Sequence, residues 1–285
     1  MGKVCQLFCR GKTFLTQKNK PRWCGRIHIG HPMQQILTQS IGFPVIGAGV
    51  YGLSKLLRCR FISYSFDDAK QSSLRALLAV AISVAAMFVL ILRQHMLHGP
   101  TPGSMPKLKT ISDLLPQLLL LVFYSVPVAY CMFRGRERLS SVGISKHNLW
   151  QACVIGVALA ALACCNRPAD LPAKLSNLSV GHWITLIYFS MVGFGEEFLF
   201  RGYLQTRLVA WLGLWRGWVF ASVFMAIVHL PHRWLIQGMG IGEATLAALA
   251  LIPVSLLMGF IMLRTQNIVA PALFHTFANW ASKVL

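Results

Sequence analysis

The sequence predicts an all-α membrane protein, a polytopic bundle of seven to eight transmembrane helices, and three observations carry that prediction. Of 285 residues, 55% are hydrophobic and only 12% charged, against about 25% charged in soluble chains. Five stretches carry no charge at all: 76–92, 114–133, 149–165, 217–228 and 244–263. Most approach the roughly 17–25 residues a helix needs to cross the hydrocarbon layer. Two more, 182–200 and 268–285, are interrupted by only a few polar groups. Finally, Trp150, Trp183, Trp211, Trp215, Trp218 and Trp280 fall near the ends of these stretches, where indole rings settle at the membrane surface.

Taken in order, the chain divides into three parts. Residues 1–75 are a basic N-terminal region, 76–181 hold accessory spans, and 182–285 form a core that carries the unusual ionisable groups. The stretch 41–57 is apolar but rich in glycine and proline near its start and contains Lys55. It reads as an interfacial or re-entrant element, with an eighth span as the alternative. Spanning would send the seven basic residues before it to the outer side, against the positive-inside tendency. With the N-terminus in the cytosol, the later cytosolic loops hold Arg134, Arg136, Arg138, Lys146, Arg201, Arg207, Arg216 and Arg264. The outer loops hold six basic residues.

The net charge of +19 does not signal nucleic-acid binding. Twelve of the 27 basic residues precede position 76, and no basic helix alternates with stacking aromatics. Basic loops beside spans fit contact with anionic lipid instead. The first 26 residues lack an apolar core and are not expected to be a secretory signal. The eight cysteines show no CxxC pair, so no disulfide framework is expected. Cys24, His28 and His31 make only a weak metal-ligand pattern. No internal repeat of the kind secondary transporters carry is present.

Only eight acidic residues occur, and two, Glu196 and Glu197, stand together in an apolar helix over 184–208. A charge near the bilayer centre costs about 2.5–3.5 kcal/mol even on the mildest scale. Glu197 has an evident partner in Arg201, four residues on and on the same helical face. Glu196 points about 100° away and has none at that spacing. One reading is a fastening of the bundle by charge pairs, but one carboxylate would serve that purpose. His229 ends the next apolar stretch, and His275 and Asn279 share one face of the last. Counting about 1.5 Å per residue from the turns at 213–216 and 264–267 brings Glu196, His229, His275 and Asn279 into one layer of the membrane. Peptide hydrolysis by activated water needs a base and donors to a developing oxyanion, and these residue types supply both. Two histidines and a carboxylate also suit zinc.

The order Glu-Glu-x-x-x-Arg, then His, then His-x-x-x-Asn resembles the CPBP family of intramembrane endopeptidases, which includes the CAAX prenyl proteases and the bacteriocin-processing or Abi proteins. The matching text is GFGEEFLFRGYLQTRL (193–208), VFMAIVHL (223–230) and PALFHTFANW (271–280). The family usually places phenylalanine four residues before the histidine, where this chain has Met225. The resemblance implies a catalytic core over 182–285 and a membrane-anchored protein or peptide as substrate: a prenylated tail, a bacteriocin or a sorting anchor. It implies Glu196 as the base that activates water, His229 as its assistant, and His275 and Asn279 as oxyanion donors. Glu197 and Arg201 would support the site. No cofactor is required on this reading. A zinc-dependent version would use Glu196, His229 and His275 as ligands. A non-catalytic immunity or scaffold protein of the same family and an ion-coupled transporter are the competing functional classes. The expected location is a bacterial cytoplasmic membrane, and the sequence does not specify oligomeric state.

Overall fold

The computed structural model describes residues 30–61, 63–102, 108–165 and 171–285, so Cys24 and His28 lie outside the described residues. Within them the chain is helical and contains no strand. The helices are α1 (Gly30–Leu56), α2 (Ala69–His98), α3 (Leu115–Arg134), α4 (Leu149–Cys165), α5 (Leu171–Ser176) and α6 (Val180–Glu197). They continue with α7 (Thr206–Leu212), α8 (Leu214–Ile227), α9 (Ile241–Leu249), α10 (Ile252–Thr265) and α11 (Val269–Val284). Five helical stretches are long and apolar enough to cross a membrane: 69–98, 111–134, 180–212, 214–236 and 241–265, and α4 is a shorter apolar helix. The protein is therefore an all-α, multi-pass membrane protein. Residues 41–57 form most of α1, a continuous 27-residue helix running through Pro44. Its apolar side lies against α10 and α4, with Val50 buried.

The central pillar is a helix longer than any single span expected from hydropathy. Helix α6 passes through a wider π-type stretch, Phe198–Gln205, and on into α7. These 33 residues make a rod about 50 Å long, against about 30 Å of hydrocarbon. Leu199, Tyr203 and Leu204 are fully buried between α2, α3 and α8. This corrects the placing of Arg201 and Arg207 in a loop: both are interior residues of the pillar with 0% exposure. Neither counts towards a basic cytosolic loop. The stretch 244–263 is not one helix either, because it breaks between α9 and α10 ahead of Pro253, whose ring cannot continue the hydrogen-bond ladder.

Inside lipid, helix contact gains little from apolar burial, so close approach through small residues matters. A Cβ on Gly193 of α6 would meet Thr276 Oγ1 at 2.6 Å and Ala272 O at 3.0 Å on α11. Gly156 of α4 meets Ala270 and Leu273 on the opposite side of α11 at 3.1 and 2.9 Å. Helix α11 is thus clasped between α4 and α6, antiparallel to α6, with Trp280 Nε1 donating to His182 O at 3.0 Å. Helices α7 and α8 turn back on each other at Gly213, whose φ of 83° suits glycine.

Candidate active site

Three helices supply the expected residues. Glu196 and Glu197 end the regular part of α6, immediately before the π-type stretch. Such stretches are rare in helices and frequently fall at functional sites. Glu196 Oε2 stands 3.8 Å from His229 Nε2, beyond the end of α8, and 4.0 Å from His275 Nε2 on α11. Glu197 faces the other side of His275: its Oε1 lies 3.0 Å from Nδ1. Arg201 Nε sits 3.4 Å from Glu197 Oε2, and both side chains have no exposure. The i,i+4 pairing expected between these two is present.

The hydrogen bonds assign the ring protons. His229 Nδ1 lies 2.8 Å from Met225 O, and a carbonyl only accepts, so Nδ1 carries the hydrogen. In the neutral ring Nε2 is then a bare acceptor turned to Glu196. The departure from the family at Met225 is harmless here, since that residue acts through its backbone. The ionised Glu197 likewise accepts from His275 Nδ1–H, leaving His275 Nε2 aimed at Glu196. Glu196 Oε2 is buried and has no hydrogen-bond partner among the described residues. Two imidazole nitrogens and an unsatisfied carboxylate oxygen therefore converge on one small volume.

Around a tetrahedral zinc with bonds near 2.0–2.2 Å, ligand atoms lie about 3.4 Å apart. Around one tetrahedral water about 2.8 Å from each, they lie about 4.6 Å apart. The observed 3.8 and 4.0 Å fall between the two, and the donor types suit either occupant. No group of three or more His, Cys, Asp or Glu among the described residues is arranged to hold a metal ion.

Sequence patterns gave no sign of the support behind Arg201. Its Nη2 donates to Ser255 Oγ at 3.0 Å and to Ser255 O at 3.3 Å, and Ser255 Oγ donates to Ser222 O at 2.9 Å. The chain Ser222–Ser255–Arg201–Glu197–His275 crosses α8, α10, the pillar and α11. Gly193, which lets α11 close on α6, was missed as well. Asn279 stands one turn beyond His275 and is half-buried. Its amide makes no hydrogen bond to a described residue, and no contact ties it to Glu196.

The family model described as type II CAAX prenyl endopeptidase, Rce1-like, matches residues 178–281. That segment holds all six site residues, and the resemblance drawn from the motifs is borne out over it. The family is one of proteases. No curated protein and no solved structure matches the chain.

Proposed function

We propose that this chain, whose residues 178–281 carry the sequence pattern of the Rce1-like endopeptidases, hydrolyses a peptide bond of a membrane-anchored protein or peptide by a glutamate-activated water. The observation that carries the reading is the unsatisfied Glu196 Oε2 facing two histidine Nε2 atoms at 3.8 and 4.0 Å. A water bonded to that oxygen gives up one proton to Glu196, with His229 Nε2 accepting its second hydrogen bond. The hydroxide attacks the scissile carbonyl. The resulting oxyanion is stabilised by His275, which as an imidazolium can donate at Nε2 while Nδ1–H stays on Glu197. Asn279, one turn further, is the second donor once substrate is present. Glu196 then returns the proton to the leaving nitrogen, the C–N bond breaks, and a carboxylic acid and an amine depart, the acid passing its remaining proton to the amine. Glu197 and Arg201 act by position, fixing the ring of His275 through the Ser255 and Ser222 contacts.

The oxyanion roles given to His275 and Asn279 leave no step that needs zinc, which favours the metal-free route over the zinc-dependent one. The intact residue set supports an enzyme over an immunity or scaffold protein, which has no use for a carboxylate oxygen buried without a hydrogen bond. The test is cleavage by the reconstituted protein of tagged, membrane-anchored C-terminal peptides, prenylated tails included, read by mass spectrometry. Wild type is expected to release a product that Glu196→Gln does not. Equal cleavage by both would make Glu196 structural and end this mechanism.

A further inference from the structure

A second concave site lies away from the proposed active site, at the end of the bundle where α2 begins, α3 ends and α10 turns into α11. It is a cavity of about 660 Å³, within the range of about 300–1,000 Å³ typical of ligand sites. Glu196 is remote from it: Arg207, whose partner Glu137 lines the cavity, is eleven residues along the pillar from Glu196, about 16 Å. Arg75, Arg134, Arg136 and Arg138 line the cavity, together with serine hydroxyls that include Ser65, Ser140 and Ser141. We propose that this cavity binds a phosphate-bearing anion, namely the headgroup of an anionic phospholipid or a free phosphate compound.

Three acids also line it, and two of them are engaged by neighbouring groups. Glu137 is neutralised by Arg207, whose Nη2 lies 2.5 Å from its Oε2, and Ser72 Oγ donates to its other oxygen. Asp68 caps α2 by accepting from Gln71 N at 2.8 Å. Asp67 is exposed at the rim. By contrast, Arg134, Arg136 and Arg138 are exposed and make no salt bridge or side-chain hydrogen bond to a described residue. Three guanidinium forks around one hollow, with hydroxyl donors between them, match a group that offers several oxygens in different directions. A basic hollow between helix ends at the membrane surface is where anionic headgroups lodge.

The test uses the full chain in a zwitterionic detergent, with dioctanoyl phosphatidic acid, dioctanoyl phosphatidylcholine and inorganic phosphate as probes. Saturable binding is followed by native mass spectrometry and by thermal stabilisation. Phosphatidic acid is expected to bind at least tenfold more tightly than phosphatidylcholine. The triple variant Arg134→Gln, Arg136→Gln, Arg138→Gln should lose at least tenfold in affinity, and the corresponding triple lysine variant, which keeps the charge but not the forks, should fall between it and wild type. A control removing three charges elsewhere on the surface (Lys55→Gln, Arg58→Gln, Arg216→Gln) should change affinity by less than twofold. Saturation by inorganic phosphate at the same concentrations would identify a free phosphate compound as the ligand, and saturation by the lipid alone would identify a headgroup. Equal loss in the cavity and control triples, or no saturable binding of either anion, would overturn the site.

Discussion

Replacing Arg201 by methionine tests the buried support of the site, because it removes one half of a pair that has no access to solvent. At 3.4 Å and an effective dielectric near 20, two unit charges attract by about 5 kcal/mol. The loss also strands Glu197 in the interior. Breaking a buried pair from one side costs about 3–5 kcal/mol, so a fall in unfolding midpoint on the order of 10 °C is expected for a chain of this size. The double variant Glu197→Gln, Arg201→Met removes both charges and should recover part of that fall, with a coupling of about 1–3 kcal/mol between the sites. The assay is thermal unfolding in detergent, followed by the loss of helical circular dichroism. A midpoint for Arg201→Met within about 2 °C of wild type would refute the reasoning, and so would strictly additive single effects.

Three further outcomes follow from the same contacts. Glu196→Gln should lower cleavage by roughly 10²–10⁴-fold, the usual scale for a general base. It should leave the unfolding midpoint unchanged or higher, because the unsatisfied buried oxygen stabilises nothing. Gly193→Ala would drive a methyl into Thr276 and Ala272. A loss of about 1–3 kcal/mol in stability and a disproportionate fall in cleavage are expected as α11 carries His275 away from Glu197. Glu137→Gln leaves the fully buried Arg207 without its carboxylate and should lower the midpoint by a similar amount to Arg201→Met. Cleavage per folded molecule should stay within about threefold, since this pair lies some 16 Å along the pillar from Glu196.

The sequence made legible what depends on local spacing. Glu197 and Arg201 are one helical turn apart, His275 and Asn279 likewise, and the two turns that set depth, near Gly213 and Gln266, lie where residue counting puts them. Counting residues from those turns put Glu196, His229 and His275 in one layer, and the side chains of these three meet. What stayed hidden was contact between distant parts of the chain. Ser255 lies 54 residues from Arg201, and Glu137 lies 70 from Arg207. Nothing in either local pattern announces the partner. Arg207 reads as a loop residue because arginine is costly in lipid. Yet it sits inside a ring of protein, stacked on Tyr203 at 4.2 Å and paired to Glu137, where that cost is offset. The π-type stretch after Glu197 and the break before Pro253 were likewise invisible to hydropathy, which registers only that each segment is apolar.

The central claim is that Glu196 activates water without a metal, and the most direct measurement is the cleavage rate of wild type before chelation, after exhaustive chelation, and after zinc is restored. The account predicts one unchanged rate across all three conditions, with Glu196→Gln inactive in each. A rate that disappears on chelation and returns with zinc would contradict it and would make Glu196, His229 and His275 ligands.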